Sequence, residues 1–193
     1  MTTPTQEQKY YSLKEYFEIE INADIRHEYI DGAIIPMTGG TPEHNEIASI
    51  LNAILRLGLK GQSYSIFIAD QRLWIPETRM HTYPDVMVAS RPLQRQSGQN
   101  DTITNPVLIA EVLSNSTKAF DRGDKFAAYR TVPTLQEYLL IDQYRLHLEQ
   151  FTKTASNQWL FTEYNDPEDL ISLVSVSLEF CLQDLYEGLG IGG

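Results

Sequence analysis

The sequence predicts a mixed α/β (α+β) fold in which a central strand is covered on both faces. Three observations carry this. Asp31-Gly32 stands between the β-prone runs Glu28-Tyr29-Ile30 and Ala33-Ile34-Ile35, the pattern of a two-residue hairpin. Ile47, Ile50, Leu51, Ile54, Leu55 and Leu57 recur at helical spacing behind Thr41-Pro42. Pro106–Leu113 is apolar at consecutive positions but for one acid, as a strand buried on both faces requires.

Taken in order, Ser12 followed by Glu15 opens a short helix with a capping box. The hairpin comes next. Thr41 is a good N-cap and Pro42 a good first helical residue, so a helix runs from there to about Leu59 and stops at Gly61. Tyr64–Ile68, Arg72–Ile75 and Val86–Val88 read as strands. The polar stretch 89–105, with Ser97-Gly98-Gln99-Asn100-Asp101, reads as a mobile loop. After the strand 106–113, Ser114-Asn115-Ser116-Thr117 turns the chain into an amphipathic helix over 120–130. Phe126 and Tyr129 form its inner side, and Pro133 ends it. Strands follow at Tyr138–Ile141, Leu146–Phe151 and Trp159–Tyr164, then a last helix over Leu178–Glu187 and a loose tail over 188–193. No repeat or linker divides the chain. Residues 1–193 therefore read as one domain, with an N-terminal helix and hairpin at about 10–37 and a core at about 41–187.

At 193 residues and 42% hydrophobic, the chain is long and apolar enough to bury a core. Cys181 is the one cysteine, which excludes an intrachain disulfide and a cysteine metal cluster and suits a reducing, cytoplasmic setting. Met1–Glu7 lacks the basic start and apolar stretch of a targeting leader, and no run approaches the roughly 20 apolar residues of a membrane span. The net charge of −11 speaks against indiscriminate nucleic-acid binding. Its distribution is uneven: −5 over residues 1–71, +2 over 72–130 and −8 over 131–193.

The less acidic middle holds two acids in apolar settings. Asp85 follows Pro84 and leads into Val86-Met87-Val88, and Glu111 interrupts the run Val107–Leu113. A carboxylate in an apolar run is costly unless something pairs with it. Asp85 and Glu111, with the backbone carbonyl of Val112, make a hard-oxygen set suited to Mg²⁺ or Mn²⁺. Lys125 supplies an ammonium that can orient water or offset charge on a phosphate. Each residue alone also has a plainer role. Asp85 suits a turn, Glu111 a buried ion pair with an arginine, and Lys125 a surface bridge to Asp121 four residues before it.

The ordered set Glu28-Tyr-Ile-Asp-Gly32, His44, Pro84-Asp85-Val-Met-Val, Glu111-Val-Leu-Ser114, Thr117, Asp121-Arg-Gly-Asp-Lys125, Tyr129 and Glu137-Tyr138-Leu-Leu-Ile-Asp142 resembles the Uma-type restriction-endonuclease-like family of the PD-(D/E)xK nuclease superfamily. The match spans roughly 15–185. The resemblance implies a restriction-endonuclease-like core, a central mixed sheet flanked by helices. It implies a Mg²⁺-dependent endonuclease acting on DNA as a homodimer, with Asp85 and Glu111 as metal ligands and Lys125 as the catalytic lysine. The superfamily lysine stands two residues after the glutamate, where this chain has Leu113; the family pattern moves it to Lys125, and Lys118 on the turn competes for the role.

Glu28 and His44 are auxiliary candidates, Glu28 near the metal or its water and His44 near a phosphate at the helix start. His81 and Tyr83 are weaker candidates for substrate contact, and Arg91, Arg95, Lys118, Arg122 and Arg130 for a phosphate-facing rim. Two other readings stand beside the nuclease. One is a non-catalytic module that keeps the nuclease fold and borrows its grip on nucleic acid from a partner protein. The other is a metal hydrolase of a small phosphorylated substrate. Against it, the chain has no GxxxxGK[ST] loop, HExxH helix or GxSxG elbow.

Overall fold

The computed structural model describes residues 9–191. The reading of residues 1–7 as free of a leader, and the last two residues of the expected tail, lie outside them. The helices are α1 (Leu13–Asn22), α2 (Pro42–Gly58), α3 (Lys118–Phe120) and α4 (Phe126–Tyr129), with a π-helical turn, Asp121–Lys125, joining the last two. The strands are β1 (His27–Ile30), β2 (Ala33–Pro36), β3 (Tyr64–Ile68), β4 (Arg72–Ile75), β5 (Met80–Thr82), β6 (Val86–Ser90) and β7 (Thr102–Ile103). They continue with β8 (Pro106–Leu113), β9 (Glu137–Asp142), β10 (Leu148–Ala155), β11 (Gln158–Tyr164), β12 (Leu170–Leu173) and β13 (Leu178–Cys181). One sheet has the order β2-β1-β5-β4-β7, the other β11-β10-β9-β8-β6-β3, and β12 pairs with β13. Both large sheets are mixed, because β4 runs parallel to β7 and β8 to β9 while the other pairs are antiparallel. This is the mixed α+β architecture expected.

Local chemistry accounts for the elements. The Ser12 N–H donates to Glu15 Oε2 at 2.7 Å and the Glu15 N–H donates back to the Ser12 hydroxyl at 3.3 Å, which closes the capping box of α1. Asp31 and Gly32 turn the first hairpin with φ of 42° and 99°, the left-handed values that match the twist of the flanking strands. The Thr41 hydroxyl accepts the His44 N–H at 3.2 Å and starts α2.

β8 organises the interior. Leu108, Ala110 and Val112 face α2 through Ile47, Leu51 and Leu55. Ile109 and Leu113 face the opposite way, into a cluster with Phe126, Tyr129, Tyr138 and, from the other sheet, Leu73 and Met80. Both faces of this strand are therefore covered, as its unbroken apolar run requires.

The structure departs from the expectations in five places. The helix over 120–130 is broken into α3, the π-helical turn and α4. The expected helix over 178–187 is instead β13 followed by a single 3-10 turn, Leu182–Tyr186. Pairing with β12 prevails over helix there, and the Asp184 carboxylate that starts the turn accepts the Cys181 N–H at 2.9 Å. The loop 89–105 contains β7 and is pinned by Asn105, whose side chain accepts the Gln94 N–H and donates to the Ser90 and Pro92 carbonyls. The strand placed at 146–151 begins at Leu148 and runs to Ala155. Within the expected loose tail, Leu189 and Ile191 pack against the core.

Candidate active site

Strand register brings the two predicted acids together. Val86 lies opposite Ala110 and Met87 opposite Ile109, so one residue further along Asp85 comes opposite Glu111. Side chains alternate faces along a strand. Val86, Val88, Ala110 and Val112 point toward α2 and Met87, Ala89, Ile109 and Leu113 away from it, which sets Asp85 and Glu111 on one face. The Asp85 N–H lies 3.4 Å from Glu111 Oε2, and the Val112 N–H donates to Asp85 Oδ2 at 2.8 Å.

The second sheet contributes Glu28. Tyr29 pairs with His81, so Glu28 falls beside Thr82, whose hydroxyl donates to Glu28 Oε1. β5 then passes through Tyr83-Pro84 directly into β6, so the site lies where the two sheets are joined.

The π-helical turn contributes Asp121 and Lys125, both buried. Such wide turns tend to occur where side chains are gathered for function. Lys125 Nζ lies 3.0 Å from Glu111 Oε1, 3.5 Å from Glu28 Oε1 and 3.6 Å from Asp121 Oδ1. The Tyr129 hydroxyl donates to Glu111 Oε1 at 2.6 Å. From α2, His44 Nε2 approaches Asp85 Oδ2 at 3.1 Å. His44 Nδ1 is buried without a hydrogen-bond partner, close under Gly40.

These groups border a cleft of about 600 Å³, whose walls are segments 35–41 and 114–117 with Phe120, Gln143 and Tyr144. Its electrostatics are unbalanced: Glu28, Asp85, Glu111 and Asp121 face one ammonium and one imidazole. Burial, opposed by Lys125 and reinforced by repulsion from Asp85 and Asp121, pushes the Glu111 carboxyl up to about 8. Burial also raises Asp121. Burial works against the Lys125 ammonium, but Glu111, Glu28 and Asp121 outweigh it and its pKa rises. The same balance raises His44, where Asp85 and a backbone hydrogen bond to Val112 overcome burial. His44 thus lies against the Asp85 and Val112 groups that the sequence assigned to a cation. A set of hard oxygens that cannot all ionise around the cations present is one that a divalent ion fits.

The structure places the other candidates elsewhere. Lys118 is exposed and its ammonium sits on Asn115 Oδ1 at 3.0 Å, away from the carboxylates. His81 is fully buried, stacked on Tyr16 and Trp74 with Nε2 at 2.8 Å from Gln96 Oε1, so it meets no substrate. Tyr83 borders the cleft, but its hydroxyl is turned inward, donating to Glu20 and accepting from Arg72. The expected arginine rim does not form among the described residues. Arg91 bonds Ser65, Arg95 the Asn100 carbonyl and Arg122 grips Glu149, while Arg130 lies over the Phe126 ring. Sequence reasoning missed Asp121, Tyr129 and Thr82 as parts of the site. Asp121 and Tyr129 stand in the ordered set that carries the family resemblance without a role of their own, and the four-residue spacing of Asp121 and Lys125 also fits a surface bridge. A second group, His147, Glu149 and Glu163, has ligand atoms within 4.8 Å of one another, with Arg122 already holding Glu149.

A model of the Uma2 family, described as "Putative restriction endonuclease", matches residues 13–183. The chain belongs to the Uma2 family. Relatives of this Uma2 chain include two Synechocystis sp. (strain ATCC 27184 / PCC 6803 / Kazusa) proteins. Uncharacterized protein sll1609 is 43% identical over 155 residues, covering 80% of this chain and 88% of its own length. Uncharacterized protein slr1290 is 37% identical over 178 residues, covering 92% of each. A crystal structure described as a "putative nuclease belonging to DUF820", from Anabaena variabilis ATCC 29413, matches with a TM-score of 0.73 at 20% identity. It covers 91% of this Uma2 chain and 97% of that one, so the two share their fold nearly end to end.

Proposed function

We propose that this chain, as one restriction-endonuclease-like domain, is a Mg²⁺- or Mn²⁺-dependent endonuclease that hydrolyses DNA phosphodiester bonds. The observation that carries the reading is Lys125 Nζ at 3.0 Å from Glu111, beside Asp85 and inside a cleft that is overloaded with carboxylates. The family description and the nuclease reading of the Anabaena variabilis neighbour point the same way.

Asp85, Glu111 and the Val112 carbonyl would hold the ion. When bound, it supplies Lewis acidity toward the phosphate and lowers the pKa of water. The chain's own residues prepare the rest. Tyr129 fixes one oxygen of Glu111 and leaves Oε2 directed at Asp85. Thr82 fixes Glu28, which with Asp121 keeps Lys125 protonated and aimed at Glu111. The ammonium then stands where charge grows on the phosphate oxygens, and a pre-placed cation is worth most in a site shielded from water. His44 orients Asp85. A cytoplasmic homodimer belongs to the same proposal, and sedimentation in solution tests the dimer. Among the described residues, no helix is long and apolar enough to cross a membrane.

The test is nicking of supercoiled plasmid. The parent chain should cut in Mg²⁺ or Mn²⁺ and not in EDTA, and a folded Glu111→Gln variant should not cut. Equal cutting by that variant would reject the assignment. A parent that takes up metal but never cuts would favour the non-catalytic module.

A further inference from the structure

The cleft is poorly charged for gripping a duplex. Proteins hold double-stranded DNA largely through lysines and arginines on its phosphates. Among the described residues bordering this cleft, Lys125 is the one lysine or arginine, and three carboxylates already surround it. Nearby Arg145 pairs with Asp142, and Lys118, which keeps its charge on the neutral Asn115 amide, lies outside the residues that border the cleft. The chain as a whole carries −11.

The reacting groups are also deep. The Glu111 and Lys125 side chains are only 4% and 9% exposed, so the phosphate that reacts has to enter the cleft. A strand freed from its complement can bend inward and offer its bases to the walls; a paired strand is held back by its partner. The mouth has the surface such bases need. Tyr144 borders the cleft with 54% of its surface exposed, so its ring can be reached from the cleft mouth. Its backbone N–H donates to Asp142 Oδ1 at 2.8 Å, so the ring projects from a fixed turn. Phe120 and Met37 border the same cleft. Aromatic rings accept any unpaired base by stacking.

Resting on the nuclease reading above, we propose that the substrate is DNA with unpaired nucleotides and that Tyr144 is the stacking platform that selects it. The exposed Thr38 hydroxyl on the same rim supplies a neutral donor to the strand's phosphates, while the Ser116 and Thr117 hydroxyls are bonded to Ser114.

The test uses the full chain and a fluorescein-labelled mixed-sequence strand, alone and annealed to its complement. Binding is followed by anisotropy in Ca²⁺ and cutting in Mn²⁺. The single strand should bind about tenfold tighter or better than the duplex and be cut faster. Tyr144→Ala should weaken single-strand binding by about tenfold, the scale of one lost base stack, while Tyr144→Phe, which keeps the ring, should not. Because Tyr144 is exposed, neither change threatens the fold. Equal binding and cutting of the two DNAs, or a Tyr144→Ala chain that binds the strand as the parent does, overturns the inference and leaves the nuclease standing. A parent chain that cuts neither DNA in Mg²⁺ or Mn²⁺ overturns both.

Discussion

Replacing Lys125 by methionine keeps the length of the side chain and removes its charge. The ammonium lies 3.0 Å from Glu111, 3.5 Å from Glu28 and 3.6 Å from Asp121. With the Glu111 carboxyl raised to about 8, the attraction near neutral pH comes from Glu28 and Asp121; at an effective dielectric of about 20, one such contact is worth about 5 kcal/mol, against a cost of several kcal/mol for burying the ammonium. Three acids facing one another without a cation make the loss real, and it should fall near the ~3–5 kcal/mol seen when a buried pair loses one member. For a chain of this size each kcal/mol lowers Tm by roughly 2–4 °C, so the midpoint should drop by about 6–20 °C. Urea and thermal unfolding in EDTA at neutral pH measure it. The remaining charge is all negative, so Mg²⁺ or mild acid should restore more stability to the variant than to the parent. A variant as stable as the parent in EDTA would refute the electrostatic account of the site.

Glu111 makes the metal-free protein sensitive to pH. Its carboxyl is raised in the folded chain from 4.5 to about 8, so the folded state keeps a proton that the unfolded chain releases. That stabilisation is complete below about 4.5 and is lost as pH rises through about 8. Urea midpoints in EDTA should therefore fall with rising pH more steeply for the parent than for Glu111→Gln. Glu137 is fully buried and accepts from Gln150, from the Val174 and Ser175 N–H groups and from the Ser175 hydroxyl. Glu137→Ala strands these donors and should cost about 3 kcal/mol, with hydrogen exchange rising first in β12 and β13. A Cβ at Gly40 would lie 2.7 Å from His44 Nδ1. Gly40→Ala should therefore push the imidazole off Asp85 and lower its pKa toward the ordinary value, which an NMR titration reads.

Elements set by local chemistry were legible in the sequence. The Ser12–Glu15 box, the Asp31-Gly32 turn, the Thr41-Pro42 helix start and the strand Pro106–Leu113 all appear in the structure. Elements decided by tertiary contact were not. Leu178-Glu-Phe-Cys181 carries no strong local signal, and its strand form depends on pairing with β12. The π-helical turn at Asp121–Lys125 has no sequence signature, yet it turns a pair that reads as a surface bridge into two buried members of the site. Asp85 and Glu111 were legible because a charge inside an apolar run needs an explanation. The arginine rim was misread because positive charge concentrated in one stretch of sequence is not charge concentrated in space. Arg122 lies next to Asp121 in the chain, yet it is spent on Glu149.

The most direct measurement is anomalous scattering from a crystal of the parent chain soaked in Mn²⁺. The account predicts a peak touching both Asp85 and Glu111 beside the Val112 carbonyl, with Lys125 still on Glu111. A crystal in which manganese occupies only His147, Glu149 and Glu163, or in which Asp85 and Glu111 bind no ion, would contradict it.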